Sequence, residues 1–242
     1  MPTARWIQDL FLEAQFSEFL DACLYRPLEN NITYPDGSHP LFERISNKNM
    51  QYMGIDILLR EHGAVTAIDE KSQLHHINED ICTQAFELSY LKNGIVEAGW
   101  FLNPGKKTDA YLLCWPHGEK SEGQDIYTGA KILLVFKHHL MDALKQYGFS
   151  REELAERDVC IRQGERAGRY RTRCNDFWLY YTGSEKYAEA PINLVVRSTL
   201  LEKLSVINLN ISIDKTTTTS NISGIWAGRP INISESVLYF KK

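Results

Sequence analysis

The chain is poor in the features that usually place a protein quickly. Its five cysteines, at 23, 82, 114, 160 and 174, include no Cys-x-x-Cys pair. That argues against a structural zinc site and against a disulfide framework, and scattered thiols suit a reducing compartment. Positive charge is not in excess: 27 basic residues face 31 acidic ones, for a formal net charge of -4. A surface for phosphate would therefore have to be local. No apolar run approaches membrane-spanning length, so no membrane partner is expected. Gly-x-Gly-x-x-Gly, a Walker loop, Gly-x-Ser-x-Gly and His-Glu-x-x-His are all missing. Their absence argues against nucleotide-driven, serine-hydrolase and zinc-peptidase chemistry. The pairs His75-His76 and His138-His139 do not supply a chelate, because adjacent residues diverge on a strand and on a helix.

A secretion signal is also missing from the start of the chain. "MPTARWIQDLFLEAQFSEFLDACLY" reads as an amphipathic helix carrying acids, and the expected compartment is the cytoplasm. The Asn-x-Ser/Thr triplets at 31, 210, 221 and 232 then read as ordinary turn and strand residues.

What is present is enough for one sizeable core: 242 residues, 43% of them hydrophobic. A single domain over 1–242 is expected. Apolar spacing predicts a helix over 5–24, then a loop through "RPLENNITYPDGSHP". Two strands, 53–59 and 64–72, join through a turn at Glu61-His62-Gly63, and "AFELSYLKNGIVEAGWFL" reads as a second hairpin. "TDAYLLCWP" is a further strand, and "GAKILLVFKHHLMDALKQYG" a helix over 129–148 stopped by Gly148. Ser150 and Glu153 form a capping box for the next helix. Strands at "DFWLYYT" and "PINLVVR", a short helix at "STLLEKLS" and a β-prone tail complete the chain. The fold class is α/β or α+β, a mixed sheet flanked by helices.

One stretch carries chemistry. "AIDEKSQ", residues 67–73, ends an apolar strand in three charges. Strand alternation puts Asp69 and Lys71 on one face and Glu70 on the other. Asp56 lies between isoleucines in the preceding strand, and pairing through the turn brings it toward Asp69. Two close carboxylates repel unless a cation shares them. Mg²⁺ takes such oxygen ligands together with water and phosphate oxygens. A lysine beside it can position or activate a water and stabilise charge on phosphorus.

Asp56, twelve intervening residues, then Asp69-Glu70-Lys71 resembles the motif of the PD-(D/E)xK nuclease superfamily, the restriction-endonuclease-like proteins. Ile55 stands where the motif's spelling has proline. The resemblance implies an αβββαβ core, here over about 5–140; the β-rich C-terminal elaboration expected over about 150–242 has no counterpart in it. It also implies Mg²⁺- or Mn²⁺-dependent cleavage of phosphodiesters, in DNA rather than RNA, and a homodimer. It implies an acid from the first helix as well: Glu18 is the expected one, with Glu13 and Asp21 as competitors. Gln73 extends the Asp69–Lys71 face by a step. Glu87, inside "AFELSYL", is costly to bury unpaired and is a further metal-site acid or a partner for a lysine.

Between 157 and 173 six arginines face two acids. Arg162, Arg166, Arg169, Arg171 and Arg173, interleaved with glycines and Tyr170, suit phosphate contact and base stacking. Lys106 and Lys107 offer a second such loop. Two other readings use the same residues: a nucleic-acid-binding protein of this fold without catalysis, and a structural or interaction protein.

Overall fold

The computed structural model describes residues 3–79, 81–120, 125–164, 166–183 and 189–237. It is a mixed α/β structure of two sheets and six helices among the described residues, as the sequence suggests at that level. No helix among them is long and apolar enough to cross a membrane.

The N-terminal helix runs further than its apolar pattern predicts. Helix α1 (Thr3–Leu20) passes through a π-turn, Asp21–Tyr25, directly into α2 (Arg26–Asn31). The loop expected from residue 26 therefore starts at Ile32. Pro27 is what suggested a break, because proline cannot donate to the carbonyl four residues earlier. That carbonyl belongs to Cys23, and the hydroxyl of the buried Ser220 donates to it at 2.8 Å. The π-turn, in which the Arg26 N–H donates to the Asp21 carbonyl five residues back, carries the helix past the proline, and Ser220 adds a donor from outside it.

Strands β1 (Leu41–Arg44), β2 (Ile57–Glu61) and β3 (Ala64–Ser72) form an antiparallel meander, with the short α3 (Lys48–Tyr52) between the first two. The β2–β3 turn places His62 and Gly63 at φ 48° and 75°. Two successive left-handed residues match the right-handed strand twist, which fixes the register on which the motif depends. The same device, at Asn93 and Gly94, joins β4 (Thr83–Lys92) to β5 (Ile95–Ala98). Strand β6 (Ala110–Glu119) then lies parallel to β3, and β7 (Ile126–Phe136) antiparallel to β6. Where the resemblance implies a helix crossing between third and fourth strands, this chain crosses through the β4–β5 hairpin.

Residues 129–136 were expected to be helical and are strand instead; the helix, α4, covers only Lys137–Gln146. A buried apolar run has no period to distinguish helix from strand. Here Ile132 and Leu134 enter one core while Leu133 and Val135 enter the other, an alternation that only a strand buried on both faces can give.

Helix α5 (Arg151–Gly164) starts at the expected capping box: the Glu153 carboxylate accepts from the Ser150 N–H at 2.7 Å, and the Ser150 hydroxyl from the Glu153 N–H at 3.3 Å. Strands β8 (Gly168–Arg171), β9 (Phe177–Tyr181) and β10 (Ile192–Arg197) join the hairpin in a five-stranded sheet of order β5-β4-β10-β9-β8. After α6 (Ser198–Leu204), strands β11 (Ile207–Asp214), β12 (Thr219–Trp226) and β13 (Arg229–Ser236) return to the first sheet. Its order is β1-β2-β3-β6-β7-β11-β12-β13. The C-terminal strands thus continue the sheet that carries the motif.

Each face of the eight-stranded sheet has its own core. On one, Phe16, Phe19 and Leu28 of the N-terminal helix pack on Ile57, Ile68 and Leu112. On the other, Tyr111, Leu113 and Val135 meet Phe86 and Leu194 of the second sheet and Leu140, Leu154 and Leu201 of α4–α6. Strand β3 runs between these cores, so alternate residues at its end emerge into different surroundings.

Candidate active site

Asp69 and Lys71 share one face of β3, as alternation requires. Asp69 is 3% exposed, and its Oδ1 lies 2.5 Å from the Lys71 Nζ. Its Oδ2 packs against Gly54, 3.4 Å from where a Cβ would stand there. Gly54 has φ 75°, and its carbonyl accepts from the Thr108 hydroxyl at 2.8 Å. Any side chain at 54 would collide with Thr108 and be strained besides, so the glycine makes the seat of the Asp69 carboxylate.

Asp56 stands one residue before β2. Its N–H donates to the Ile68 carbonyl, and its Oδ2 accepts from the Glu70 N–H, both at 2.9 Å. The side chain is thus tied to the backbone between Asp69 and Lys71. Burial and then the neighbouring Asp69 raise the Asp56 pKa to about 7, against the opposing pull of Lys71 and the Glu70 N–H. Burial would by itself depress the Lys71 ammonium; Asp69, Asp56 and Glu13 outweigh it and hold its pKa above the ordinary value. The Nζ also sits 4.9 Å from the centre of the Trp100 ring. Asp56, Asp69 and Lys71 are therefore one electrostatic unit with more negative than positive charge.

An open cavity of about 460 Å³ adjoins Asp56 and Lys71, with Asp69 buried behind them; Glu70, Ser72 and Arg44 also line it, and Leu10, Glu13, Ala14 and Ser17 face it from α1. Leu10, Glu13, Ala14 and Ser17 are spaced i, i+3, i+4, i+7, and Phe16 and Leu20 of the same helix complete the wall. The helix acid turned toward the site is Glu13. Burial raises its pKa, and the charge of Lys71 works against that rise. Glu18, five residues on, points about 140° away around the helix and does not line the cavity. Asp21 pairs instead with Arg44 at 2.8 Å. The stripe of Leu10, Ala14 and Ser17 is a signal in the sequence that could have selected Glu13.

Glu70 faces the other core. It accepts from the Tyr25 hydroxyl, and from Arg44 at 2.7 and 3.1 Å. Arg44 in turn holds Asp21, so β1, β3 and the π-turn are joined through one carboxylate. Arg44 and Tyr25 had no signal in the sequence, because their partner is 26 and 45 residues away along the chain.

Other expected residues go elsewhere. Strand β3 ends at Ser72, and Gln73 leaves the Asp69–Lys71 face to donate to Gln84 Oε1 at 2.8 Å. The Glu87 carboxylate accepts from the Trp100 backbone N–H and is not gathered with Asp56 and Asp69. Lys106 donates to the Tyr52 carbonyl at 2.7 Å while its Cδ approaches Gly54, and Lys107 is exposed beside it. This loop borders the site. The arginine run does not form one loop: it spans the end of α5 and β8. Arg162 turns inward to Ser89 Oγ, at 2.6 and 2.9 Å, and to the Ala190 carbonyl. Tyr170 packs against the second core and donates to the Arg166 carbonyl. Arg166, Arg169, Arg171 and Arg173 are exposed. His75 meets Asp9 at 3.1 Å and His76 meets Glu79 at 2.7 Å, neither as part of a chelate.

Asp56 and Asp69 suit a hard divalent cation: two oxygen donors, one of them held partly protonated near neutrality by burial and then by the other's charge. No group of three or more His, Cys, Asp or Glu side chains among the described residues stands ready to hold a metal. Two protein carboxylates, with water and phosphate supplying the rest, is the donor set Mg²⁺ commonly uses. Compared with models of protein families, with curated proteins and with solved structures, the chain matches none.

Proposed function

We propose that the chain is a metal-dependent nuclease that hydrolyses phosphodiester bonds, in DNA rather than RNA, with a core of the restriction-endonuclease kind. The observation that carries the reading is the unit of Asp56, Asp69 and Lys71 beside an open cavity that Glu13 enters from the first helix. Asp56 and Asp69 hold Mg²⁺ or Mn²⁺, which supplies Lewis acidity toward the scissile phosphate. Lys71 remains a cation while both carboxylates bear on it, so its part is to hold the attacking water and to balance charge growing on phosphorus. When the carboxylates are engaged elsewhere, burial is left to depress the ammonium, and Lys71 moves toward the form that can accept a proton. Trp100 at its side limits where the ammonium can go. The exposed Lys107 lies at the rim, where a phosphate backbone would pass.

The test is nicking of supercoiled plasmid with Mg²⁺ or Mn²⁺, by the wild type and by Lys71→Ala. Cleavage by the wild type alone supports the proposal. Metal-dependent cleavage by both proteins, or by neither, overturns it, and binding without cleavage by the wild type assigns the fold to a non-catalytic role.

A further inference from the structure

The five-stranded sheet has one face in the second core and one in water. Its outer face carries two cross-strand rows. One runs Arg171, Trp178, Val195; the other runs Arg169, Tyr180, Asn193. Arg197 stands at the end of β10 with its guanidinium 5.8 Å from the centre of the Trp178 ring, and that of Arg169 lies 3.8 Å from it. All three arginines are exposed, and Tyr180 is 37% exposed. None of the three forms an ion pair with a carboxylate among the described residues.

We infer that this face is a platform for single-stranded nucleic acid, with Tyr180 and Trp178 as stacking groups, a base taking the place of the Arg169 guanidinium on the Trp178 ring, and Arg169, Arg171 and Arg197 as phosphate contacts. It rests on the nuclease reading for why the chain meets nucleic acid. Charge decides the class of ligand: three guanidiniums without a carboxylate partner among the described residues, of which Arg197 donates through Nε to the Asn175 carbonyl, on a chain of net charge -4 are a local anion site. The aromatics decide between single strand and duplex. A base presents its π-face to a side chain only when it is unstacked from its neighbours, and an aromatic ring or a guanidinium plane can then take it. A duplex offers a flat sheet only its backbone. The spacing also suits a strand, because aromatics two apart on β9 project from the same face.

The second row ends on β4 at an acid, Glu87, which bounds the basic face on that side. Burial raises the Glu87 pKa, and the charge of Lys71 is among the groups opposing that rise.

The experiment is fluorescence anisotropy of a labelled fifteen-nucleotide oligo-dT and of a blunt hairpin duplex, in EDTA, with the Asp69→Asn protein so that nothing is cut. Tighter binding of the single strand is expected. Three phosphate contacts give a slope of log affinity on log salt of about -2, which is about a 20-fold loss between 50 and 200 mM salt. Trp178→Ala with Tyr180→Ala weakens binding about tenfold or more without lowering the melting temperature. Arg171→Ala flattens the salt slope by about 0.7. Single-strand affinity unchanged by both the aromatic and the arginine substitutions overturns the inference, as does tighter binding of the duplex. Intact cleavage of plasmid by the aromatic variant, with its oligo-dT binding lost, supports the platform as a separate surface. Binding without any cleavage by the wild type counts against the nuclease proposal alone.

Discussion

Asp69 and Glu70 are consecutive residues of one strand with opposite surroundings. Glu70 has as much cation and as many donors as it can use: Arg44 in two hydrogen bonds, and Tyr25. Asp69 shares a single ammonium with Asp56 and Glu13, and Asp56 carries the cost as a raised pKa. A balanced charge cluster fixes geometry; an overcharged one stores unfavourable energy that a cation or substrate can relieve. The same strand thus anchors the helix through one carboxylate and keeps an overcharged one behind Lys71, with Glu70 and Lys71 both reaching the cavity beside α1.

The sharpest way to break this comparison is to exchange the losses. Asp69→Asn removes a carboxylate from the overcharged side. Cleavage should fall about 1,000-fold or more, some 4 kcal/mol of transition-state stabilisation. Melting should fall less than in Glu70→Ala, because the relieved repulsion with Asp56 offsets part of the lost Lys71 contact. Parallel nicking assays and thermal melts check both arms; a variant that melts much lower would show that Asp69 is structural.

Glu70→Ala should do the reverse. It leaves the part-buried Arg44 and the buried Tyr25 without their acceptor. Breaking a buried pair in this way costs about 3 kcal/mol, which lowers the melting temperature of a chain this size by about 6–12 °C. Below that temperature, cleavage should persist. Loss of cleavage with unchanged melting would instead place Glu70 in the chemistry.

The next effect is one of pH. Asp56 has a folded pKa of about 7, above the unfolded value near 4. Between those values the folded protein holds more protons than the unfolded one, so stability falls as pH rises through the window and levels off above about 7. The slope is at most about 1.4 kcal/mol per pH unit. Urea titrations from pH 4 to 8 should show it, less so in Asp69→Asn, where the neighbouring charge is gone, and less so with millimolar Mg²⁺. A wild-type slope of the opposite sign would place Asp56 outside the pair.

The sequence carried local information well and non-local information poorly. The turn at His62-Gly63, the alternation of Asp69, Glu70 and Lys71, and the Ser150 capping box are each decided within a few residues, and each appears as expected. Residues 129–136 and Pro27 were misread for the same reason. The strand is defined by burial on both faces, and the unbroken helix by a π-turn to which Ser220 contributes a hydroxyl. The partners of Glu70 arrive from β1 and the π-turn, which no short motif contains. The outer face of the second sheet is assembled from three strands, so Trp178 and Arg197 had no visible connection to the arginine run.

Between two helix acids the difference is smaller and settles which side of α1 the site uses. Glu13 lines the cavity and interacts with Lys71. Glu18 is turned away by the helical repeat. Glu13→Gln should lower cleavage about tenfold, equivalent to about 1.4 kcal/mol, by removing one of the three charges that keep Lys71 in place. Glu18→Gln should leave the rate within twofold. Single-turnover rates with saturating plasmid separate this from a change in binding. If Glu18→Gln is the damaging substitution, the cavity beside Leu10, Ala14 and Ser17 is not where substrate sits, and the overcharged side of β3 must open elsewhere.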